Sequence, residues 1–246
     1  MSKRVAVVTG GIGGLGTAIC KHLAGAGHTV IAADLPADSA RQASFAEATT
    51  GLNVHYMPLD VSDFAACGAF VRDVQQTHGR LDILVNNAGI TRDSTLRKMD
   101  ESQWDAVIEV NLGSVFNLSR HAIDGMQARG FGRVINISSV SGQTGNFGQT
   151  NYAAAKAGLH GFTMSLAREV AAKGVTVNSV SPGYIETPMT RAMPPEVRDR
   201  TVASVPVGRI GAPDDIARAV AFLADEASGY ITGANLPVNG GLFMSF

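Results

Sequence analysis

Short apolar runs rich in β-branched residues alternate along the chain with longer segments in which apolar residues recur every three or four positions. The first runs are nearly continuous, which is typical of parallel strands covered on both faces of a sheet. The longer segments have the period of amphipathic helices. This alternation predicts an α/β fold, with one domain over 1–246 and a doubly wound parallel sheet of about seven strands with helices on both faces. The predicted strands are RVAVVT, HTVIAAD, NVHYMPLDV, LDILVNNAG, GRVINISS, VTVNSVSPG and NLPVNGG.

The segment 184–212 interrupts this rhythm and carries four prolines, Pro188, Pro194, Pro195 and Pro206. Long loops in compact domains are commonly functional, and a lid is a frequent use. We predict that this segment closes over a substrate, and a plain irregular surface loop is the alternative.

The charge pattern argues against several classes of partner. A net charge of −1 over 246 residues leaves no broad basic surface for nucleic acid or membrane. No apolar run approaches the roughly 18 residues of a membrane-spanning helix, and MSKRVAVVTGG has the form of a first strand, not of a signal peptide. We therefore expect a cytoplasmic protein with a small-molecule substrate, and free thiols at Cys20 and Cys67 in preference to a disulfide. The histidines are scattered, so we predict no metal site.

A glycine-rich turn, TGGIGGLG, lies between the first predicted strand and the first helix. Gly10, Gly14 and Gly16, with Leu15 between the last two, fit a turn whose backbone approaches a pyrophosphate at a helix N-terminus. Glycines also serve turns that bind nothing, so the interpretation depends on the strand before and the helix after. The turn predicts a dinucleotide site.

Asp34 ends the second predicted strand, 20 residues beyond Gly14. An acid at this place accepts hydrogen bonds from the hydroxyls of an adenosine ribose and repels a 2′-phosphate. We therefore predict NAD and not NADP as the cofactor. Arg41 lies nearby in the sequence and would soften this preference, and a turn or helix-cap role for Asp34 is the alternative.

Two further strand ends add to the predicted cofactor site. Asp60 and Val61 end the third strand, where we expect the adenine. NNAG ends the fourth strand, where Ala88 and Gly89 permit close approach of the backbone to a ribose and Asn87 braces the turn. In an open α/β sheet, ligands bind at the carboxyl ends of the strands, and all these motifs fall there.

Tyr152 and Lys156 lie four residues apart in the predicted helix that contains TNYAAAKAGLHGF. Residues at this spacing share one helix face. A lysine ammonium favours the phenolate and lowers the pKa of a neighbouring tyrosine. The pair predicts acid–base chemistry with a phenol near neutral pH, and a chance spacing is the alternative.

Taken together, these motifs resemble those of the short-chain dehydrogenases/reductases, and the resemblance covers essentially the whole chain. It implies a Rossmann fold, a nicotinamide cofactor, oxidoreductase activity between a ketone and a secondary alcohol, and a homotetramer. The matching pieces are T-G-x3-G-x-G from Thr9, N-N-A-G at 86–89, Asn111, Ser139, Y-x3-K from Tyr152 and P-G from Pro182.

The resemblance also implies roles for the catalytic residues. Tyr152 would be the general acid/base, and Lys156 would lower its pKa and hold the nicotinamide ribose. Ser139 would orient and polarise the substrate oxygen, while its neighbour Ser138 points elsewhere because side chains alternate along a strand. Asn111, in the helix after the fourth strand, would help to bind a water that links Lys156 to solvent, and a helix-bending polar residue is the alternative.

Four residues after the sixth strand would complete the nicotinamide site. Pro182 and Gly183 belong to the family motif, and the backbone of Ile185 would fix the orientation of the ring. Thr187 would bond the carboxamide or the pyrophosphate, and a plain turn hydroxyl is the alternative for it.

Within the family, the chain most resembles acetoacetyl-CoA reductases and 3-oxoacyl-[acyl-carrier-protein] reductases. NNAGITRDSTLRKM and LPVNGGLFM are among the stretches that carry this likeness. The resemblance implies that the product is an (R)-3-hydroxyacyl thioester. The residues that would line the acyl and pantetheine site are Asp93, Lys98, Phe147, Gln149 and Tyr184.

Two residues depart from that branch. Acetoacetyl-CoA reductases typically use NADPH and lack an acid where Asp34 stands, and they tend to have glutamine at the position of Asn146, beside the substrate pocket. The alternative is therefore an NAD-dependent dehydrogenase of a small or aromatic secondary alcohol. A non-catalytic dinucleotide sensor is a further alternative, although a sensor could dispense with Ser139, Tyr152 and Lys156, all of which are present.

Overall fold

The computed structural model describes residues 3–186 and 194–244. Its centre is a seven-stranded sheet in the order β3-β2-β1-β4-β5-β6-β7, and all six strand pairings are parallel. This doubly wound sheet is the predicted fold class. The strands are β1 Val5–Thr9, β2 Thr29–Asp34, β3 Val54–Pro58, β4 Ile83–Asn86, β5 Gly132–Ile137, β6 Val175–Pro182 and β7 Asn235–Val238.

Nine helices connect these strands in the described part of the chain. Aspartates open several of them: the side chain of Asp38 accepts a hydrogen bond from the backbone of α2, Asp63 from α3 and Asp100 from α4. The helices are α1 Gly14–Gly25, α2 Ser39–Ala48, α3 Phe64–His78, α4 Glu101–Ile108, α5 Ser114–Arg129, α6 Ser141–Thr144, α7 Thr150–Val170, α8 Pro195–Ser204 and α9 Pro213–Ala224.

Apolar residues cover both faces of the sheet, and β1 shows the pattern in four residues. Val5 and Val7 belong to a buried cluster with α3, α5 and α7, whereas Ala6 and Val8 belong to one with α1 and α9. Successive strand residues point to opposite faces, so a strand buried on both sides must be apolar at every position. This requirement explains the continuous apolar runs of the sequence.

The two cysteines are buried free thiols, as predicted. Cys67 belongs to the cluster on one face of the sheet and Cys20 to the cluster on the other, so the sheet separates them. Burial is the largest effect on both thiols and raises the pKa of each to about 12. Within the described residues, no helix combines the length and apolarity that crossing a bilayer requires.

The chain order reverses between β1 and β4, which places the crossovers before and after this pair on opposite faces of the sheet. A crevice forms at such a point, outside the carboxyl ends of the strands. The loops after β1, β2, β4 and β5 therefore meet at one edge, where the sequence motifs lie.

Three local predictions differ from the structure. The third strand ends at Pro58, so Asp60 and Val61 lie in the loop beyond it. The single helix expected after the fourth strand is α4 and α5 joined by a π-helical turn at Glu109–Gly113. Within 184–212, predicted as a lid with an irregular loop as the alternative, residues Pro195–Ser204 form α8, and residues 187–193 lie outside the described part of the chain.

Candidate active site

A long groove follows the carboxyl ends of the strands. One half has a volume of about 500 Å³ and the other about 530 Å³. Leu15, Asn87, Gly89, Ile90 and Tyr152 line both halves, so the two are continuous. The groove brings together these predicted site residues: Gly10, Gly14, Leu15, Gly16, Asp34, Asp60, Val61, Asn87, Ala88, Gly89, Ser139, Tyr152, Lys156, Pro182 and Gly183.

The glycine-rich turn packs so closely that no side chain fits at Gly16. Gly10 has a left-handed φ of +60°. A Cβ on Gly16 would lie 2.0 Å from the Gly10 carbonyl oxygen, whereas a Cβ on Gly14 would meet nothing within 4 Å. The glycine at 16 is thus required by the turn itself, and the turn brings the N-terminus of α1 to the groove.

Asp34 ends β2 at the wall of the groove, with 15% of its side chain exposed. Its Oδ2 accepts a hydrogen bond from the Ile12 backbone at 3.3 Å, and its Oδ1 accepts one from the Leu35 backbone at 2.9 Å. Arg41 Nη2 lies 4.0 Å from Oδ1. The carboxylate therefore faces the groove while it also ties the glycine-rich turn to β2.

The end of β4 is fixed to β1 through Thr9. The Thr9 hydroxyl oxygen accepts hydrogen bonds from the backbone of Asn87 and of Ala88, both at 2.9 Å, and Asn87 Nδ2 donates to the Thr9 carbonyl at 2.8 Å. Asn87 braces this turn as the sequence predicted. The adjacent backbone of Ala88 and Gly89 lines the groove.

Lys156 lies on α7, one turn after Tyr152, and lines the groove. Its Nζ donates to the Ile137 carbonyl at the end of β5 at 2.8 Å and lies 5.6 Å from the centre of the Tyr152 ring. The residue is 3% exposed, and burial lowers the pKa of its ammonium to about 8.

The pKa of Tyr152 differs from the sequence-based expectation. Burial raises the pKa of the phenol, a hydrogen bond with Ser139 lowers it, and the nearby Asp93 carboxylate raises it. The net direction is upward because the loss of solvation outweighs the polar contacts. In the protein alone, Lys156 therefore does not hold the pKa of Tyr152 below its usual value, because burial of the phenol is the largest effect on it.

Ser139 follows β5 by two residues and lines the groove beside Tyr152. Its Oγ accepts a hydrogen bond from the Ser141 backbone at 3.1 Å. The Ser138 hydroxyl instead donates to the Lys156 carbonyl at 2.8 Å, inside the protein. The two serines thus direct their hydroxyls differently, as the strand alternation predicted.

Asn111 lies in the π-helical turn and is 1% exposed. Its Nδ2 donates to the carbonyls of Ile90 and Val107, both at 2.9 Å, while its Oδ1 is buried and has no hydrogen-bond partner within the described residues. A Cβ on Gly89 would lie 2.6 Å from that Oδ1 and 3.4 Å from Lys156 Nζ. A free acceptor therefore lies near the buried ammonium.

Polar side chains form a network at the outer end of the groove. Gln149 Nε2 donates to Asp93 Oδ2 at 3.0 Å. Gln149 Oε1 accepts from Ser141 Oγ at 3.1 Å and from Asn146 Nδ2 at 3.0 Å. These three bonds fix the orientation of the Gln149 amide.

The other predicted substrate and ring-site residues lie farther out. Phe147 is 89% exposed, and Tyr184 faces Asn146 across a pocket of about 100 Å³. Ile185 pairs with Gly211 and packs into the core beside the groove. Lys98 is exposed and is not among the residues that line the groove. Thr187 lies outside the described residues.

Comparison with known proteins agrees with this geometry. A family model described as enoyl-(acyl carrier protein) reductase matches residues 10–243. The acetoacetyl-CoA reductase of Allochromatium vinosum is 57% identical over 98% of this chain and 99% of its own. The chain belongs to the short-chain dehydrogenase/reductase family.

Other relatives span the whole chain as well. The acetoacetyl-CoA reductase of Cupriavidus necator is 52% identical over 99% of this chain and 100% of its own, and the 3-oxoacyl-[acyl-carrier-protein] reductase of Escherichia coli is 48% identical over 98% of each. The crystal structure of gox2181 superposes with a TM-score of 0.92 at 37% identity, covering 98% of this chain and 96% of that one. As a member of this family, the chain is an oxidoreductase that uses a nicotinamide dinucleotide.

The groove also contains residues that sequence reasoning missed. Ile90, Thr91 and Arg92 line it directly after NNAG, and Leu35 lines it beside Asp34. Their proximity in sequence to recognised motifs was the available signal. A short-chain dehydrogenase groove is built from whole loop segments, so the neighbours of a motif residue line it too.

The buried charge of Lys156 predicts a pH-dependent gain in stability for Lys156→Met. The pKa of Lys156 falls from 10.5 to about 8 on folding, so the folded protein binds fewer protons than the unfolded chain between these pH values. Wild-type stability gains from this group as pH rises through that window. We expect the variant to be more stable than wild type at pH 7, by at most about 3 kcal/mol.

Urea denaturation of both proteins between pH 7 and 10 measures this difference. The advantage of the variant should shrink steadily above about pH 8. A difference that stays constant across the range would show that the ammonium is not desolvated.

Proposed function

We propose that this enzyme reduces a 3-oxoacyl thioester, with acetoacetyl-CoA as the best candidate, to the (R)-3-hydroxyacyl thioester with NADH. Three full-length relatives named above act on 3-oxoacyl thioesters. The geometric observation that carries the proposal is the Asp93–Gln149–Asn146 network beside Ser139 and Tyr152. Its link to Ser139 runs through Ser141, and its amide groups are of the kind that donate to a second carbonyl such as that of the thioester.

Ser139 and Tyr152 are the groups that meet the ketone oxygen. The Ser139 hydroxyl polarises that oxygen, and the Tyr152 phenol donates its proton to it in reduction or accepts the proton in oxidation. A bound nicotinamide exchanges the hydride with the carbonyl carbon. The raised pKa of Tyr152 keeps the phenol protonated, which is the form that reduction needs.

Lys156 and Asn111 assist the proton transfer without contacting the substrate. The ammonium of Lys156 stabilises a phenolate at Tyr152 after the proton has left and holds the nicotinamide ribose. The free Oδ1 of Asn111 and the ammonium both lie close to the space that a Cβ on Gly89 would fill. We infer that Asn111 binds a water through which Lys156 regains a proton.

The dinucleotide occupies the long groove. The turn of Gly10, Gly14 and Gly16 would hold its pyrophosphate, and Asp60 and Val61 would hold its adenine. The groove fits such a group because the turn admits no side chain at Gly16. Pro182, Gly183 and the backbone of Ile185 would hold the nicotinamide end, and Thr187, outside the described residues, is assigned to the same site only from the sequence.

Asp34 supports NAD over NADP. The carboxylate lies at the groove wall where the ribose hydroxyls would bond it, and its charge opposes a 2′-phosphate. Arg41 is 4.0 Å away and half-exposed, so it offsets only part of that charge.

The segment 184–212 is proposed as the substrate lid. Glu186 N donates to Gly211 O at 2.8 Å, and Gly211 N donates to Tyr184 O at 2.9 Å, so its two ends are joined beside the groove. Phe147 and Tyr184 then wall the acyl pocket, and Lys98 at the rim meets phosphate groups of the CoA.

We also propose a homotetramer in the cytoplasm. Phe116 of α5 and Met164 of α7, each about half exposed, lie on one side of the sheet, and Phe222 of α9 is 54% exposed on the other. A dihedral tetramer needs two different self-complementary interfaces, and two separate apolar faces meet this need.

The first test is turnover of acetoacetyl-CoA with NADH by wild type and by Tyr152→Phe. We expect efficient reduction by wild type and a loss of about 10³-fold in kcat for the variant, which keeps the ring but lacks the proton. Binding of NADH, followed by its fluorescence, should survive the substitution.

The alternative substrate is tested in parallel with 1-phenylethanol and NAD. Brisk alcohol oxidation with slow thioester reduction would replace the proposed substrate and direct attention to Asn146. Dinucleotide binding with no turnover of either substrate would indicate a sensor.

The cofactor preference predicts that Asp34→Asn raises the ratio of kcat/KM with NADPH to that with NADH by at least about tenfold, because it removes a charge near the 2′ position. Asp60→Asn is the matched control, since it removes the same charge beside the shared adenine and should change both cofactors alike. An unchanged ratio in Asp34→Asn would contradict the assigned role.

The assembly is tested by analytical ultracentrifugation. We expect the mass of a tetramer at micromolar concentration, and a shift to smaller species when Phe116→Asp places a charge in one apolar face. Sedimentation of the wild type as a monomer would refute the assembly.

A further inference from the structure

His160 is a half-buried histidine that none of the proposed steps uses. It lies on α7, one turn after Lys156 and two turns after Tyr152, and so on the helix face that carries both. Its Nε2 lies 2.9 Å from the Ser138 hydroxyl oxygen and 3.4 Å from that of Ser181. The imidazole thus bridges α7 to the ends of β5 and β6.

The hydrogen bonds around His160 determine which ring nitrogen carries the proton. The Ser138 hydroxyl gives its one hydrogen to the Lys156 carbonyl at 2.8 Å, and the Ser181 hydroxyl gives its own to Asn235 Oδ1 at 2.8 Å. Both serine oxygens are left as acceptors toward the imidazole. The proton must therefore lie on Nε2, where it is shared between the two oxygens.

This arrangement ties Ser138 to α7 by two bonds, one donated and one accepted. Ser138 is 2% exposed, and its backbone N–H donates to the Val180 carbonyl of β6 at 2.8 Å. The next residue is Ser139, whose hydroxyl faces the groove. The two bonds of the Ser138 side chain therefore set where the Ser139 hydroxyl lies relative to Tyr152, which is held by the same helix.

We propose that His160 is a positioning residue: by donating from Nε2 to Ser138, it holds the Ser139 hydroxyl in register with Tyr152 and Lys156. This inference rests on the proposed function of Ser139. Displacements of about 1 Å at a reacting group lower rates by up to about 10²-fold, so loss of the bond between His160 and Ser138 should lower kcat. His160 itself does not touch the substrate.

The kinetic test compares His160→Leu with His160→Gln. Leucine fills the space but donates nothing, whereas a glutamine amide places an N–H near the position of Nε2. We expect His160→Leu to lower kcat for acetoacetyl-CoA about tenfold with little change in the KM for NADH, and His160→Gln to recover most of the loss. His55→Leu is the matched control, because it removes a histidine bond of the same 2.9 Å length, to Asn53, on the exposed strand β3.

Ser138→Ala provides the second variant if His160→Leu does not fold. Because it removes both bonds of the Ser138 side chain, it should lower kcat at least as much as His160→Leu. The double variant should be no slower than Ser138→Ala alone, since that substitution already removes the bond to His160. Wild-type kcat in a folded His160→Leu or Ser138→Ala variant would overturn the proposal, as would additive losses in the double variant.

Nitrogen-15 NMR of histidine-labelled protein tests the tether without a substrate. We expect His160 to carry its proton on Nε2 at pH 7, and Ser138→Ala to shift that signal. A proton on Nδ1 would overturn the positioning role. Failure of the wild type to reduce acetoacetyl-CoA, with the expected tautomer present, would overturn the proposed substrate and leave the tether standing.

Discussion

An ammonium group in a residue that is 3% exposed must have acceptors in fixed places, because water does not solvate it. Lys156 finds one in the Ile137 carbonyl, which β5 presents at its end. Gly89 leaves room for the ammonium on the other side, where a Cβ would approach Nζ to 3.4 Å and Asn111 Oδ1 to 2.6 Å. Burial destabilises this charge but also leaves it without competing water, so that it can stabilise a phenolate. The folded protein is therefore less stable than it would be without the buried charge.

The parallel sheet supplies those fixed places. Asn86 pairs with Asn136, and Ile137 pairs with Val180, so β4, β5 and β6 end close together. The Asn86 amide donates to Asn136 Oδ1 at 2.9 Å, and Asn136 donates to Thr163 of α7 at 2.9 Å. Helix α7, which carries Tyr152 and Lys156, is therefore hydrogen-bonded through β5 to β4, the strand at whose end NNAG begins.

The parts of the site that follow from local sequence could be predicted. The strands, the glycine-rich turn and the shared face of Tyr152 and Lys156 each depend on residues within a few positions of one another. The pairing of Asp93 with Gln149 joins residues 56 positions apart, and no pattern in either segment indicates it. The upward pKa of Tyr152 was mispredicted because burial in the folded protein outweighs the neighbouring charge.

Asp34, the proposed specificity residue, is also part of the fold. Its two carboxylate oxygens accept from the Ile12 backbone in the glycine-rich turn and from the Leu35 backbone after β2. The same oxygens face the place where the ribose hydroxyls would lie. The cofactor preference proposed for Asp34 is therefore coupled to the geometry of the turn. A residue at position 34 that accommodated a 2′-phosphate would remove the carboxylate that accepts from the Ile12 backbone N–H. That N–H would then need a new acceptor.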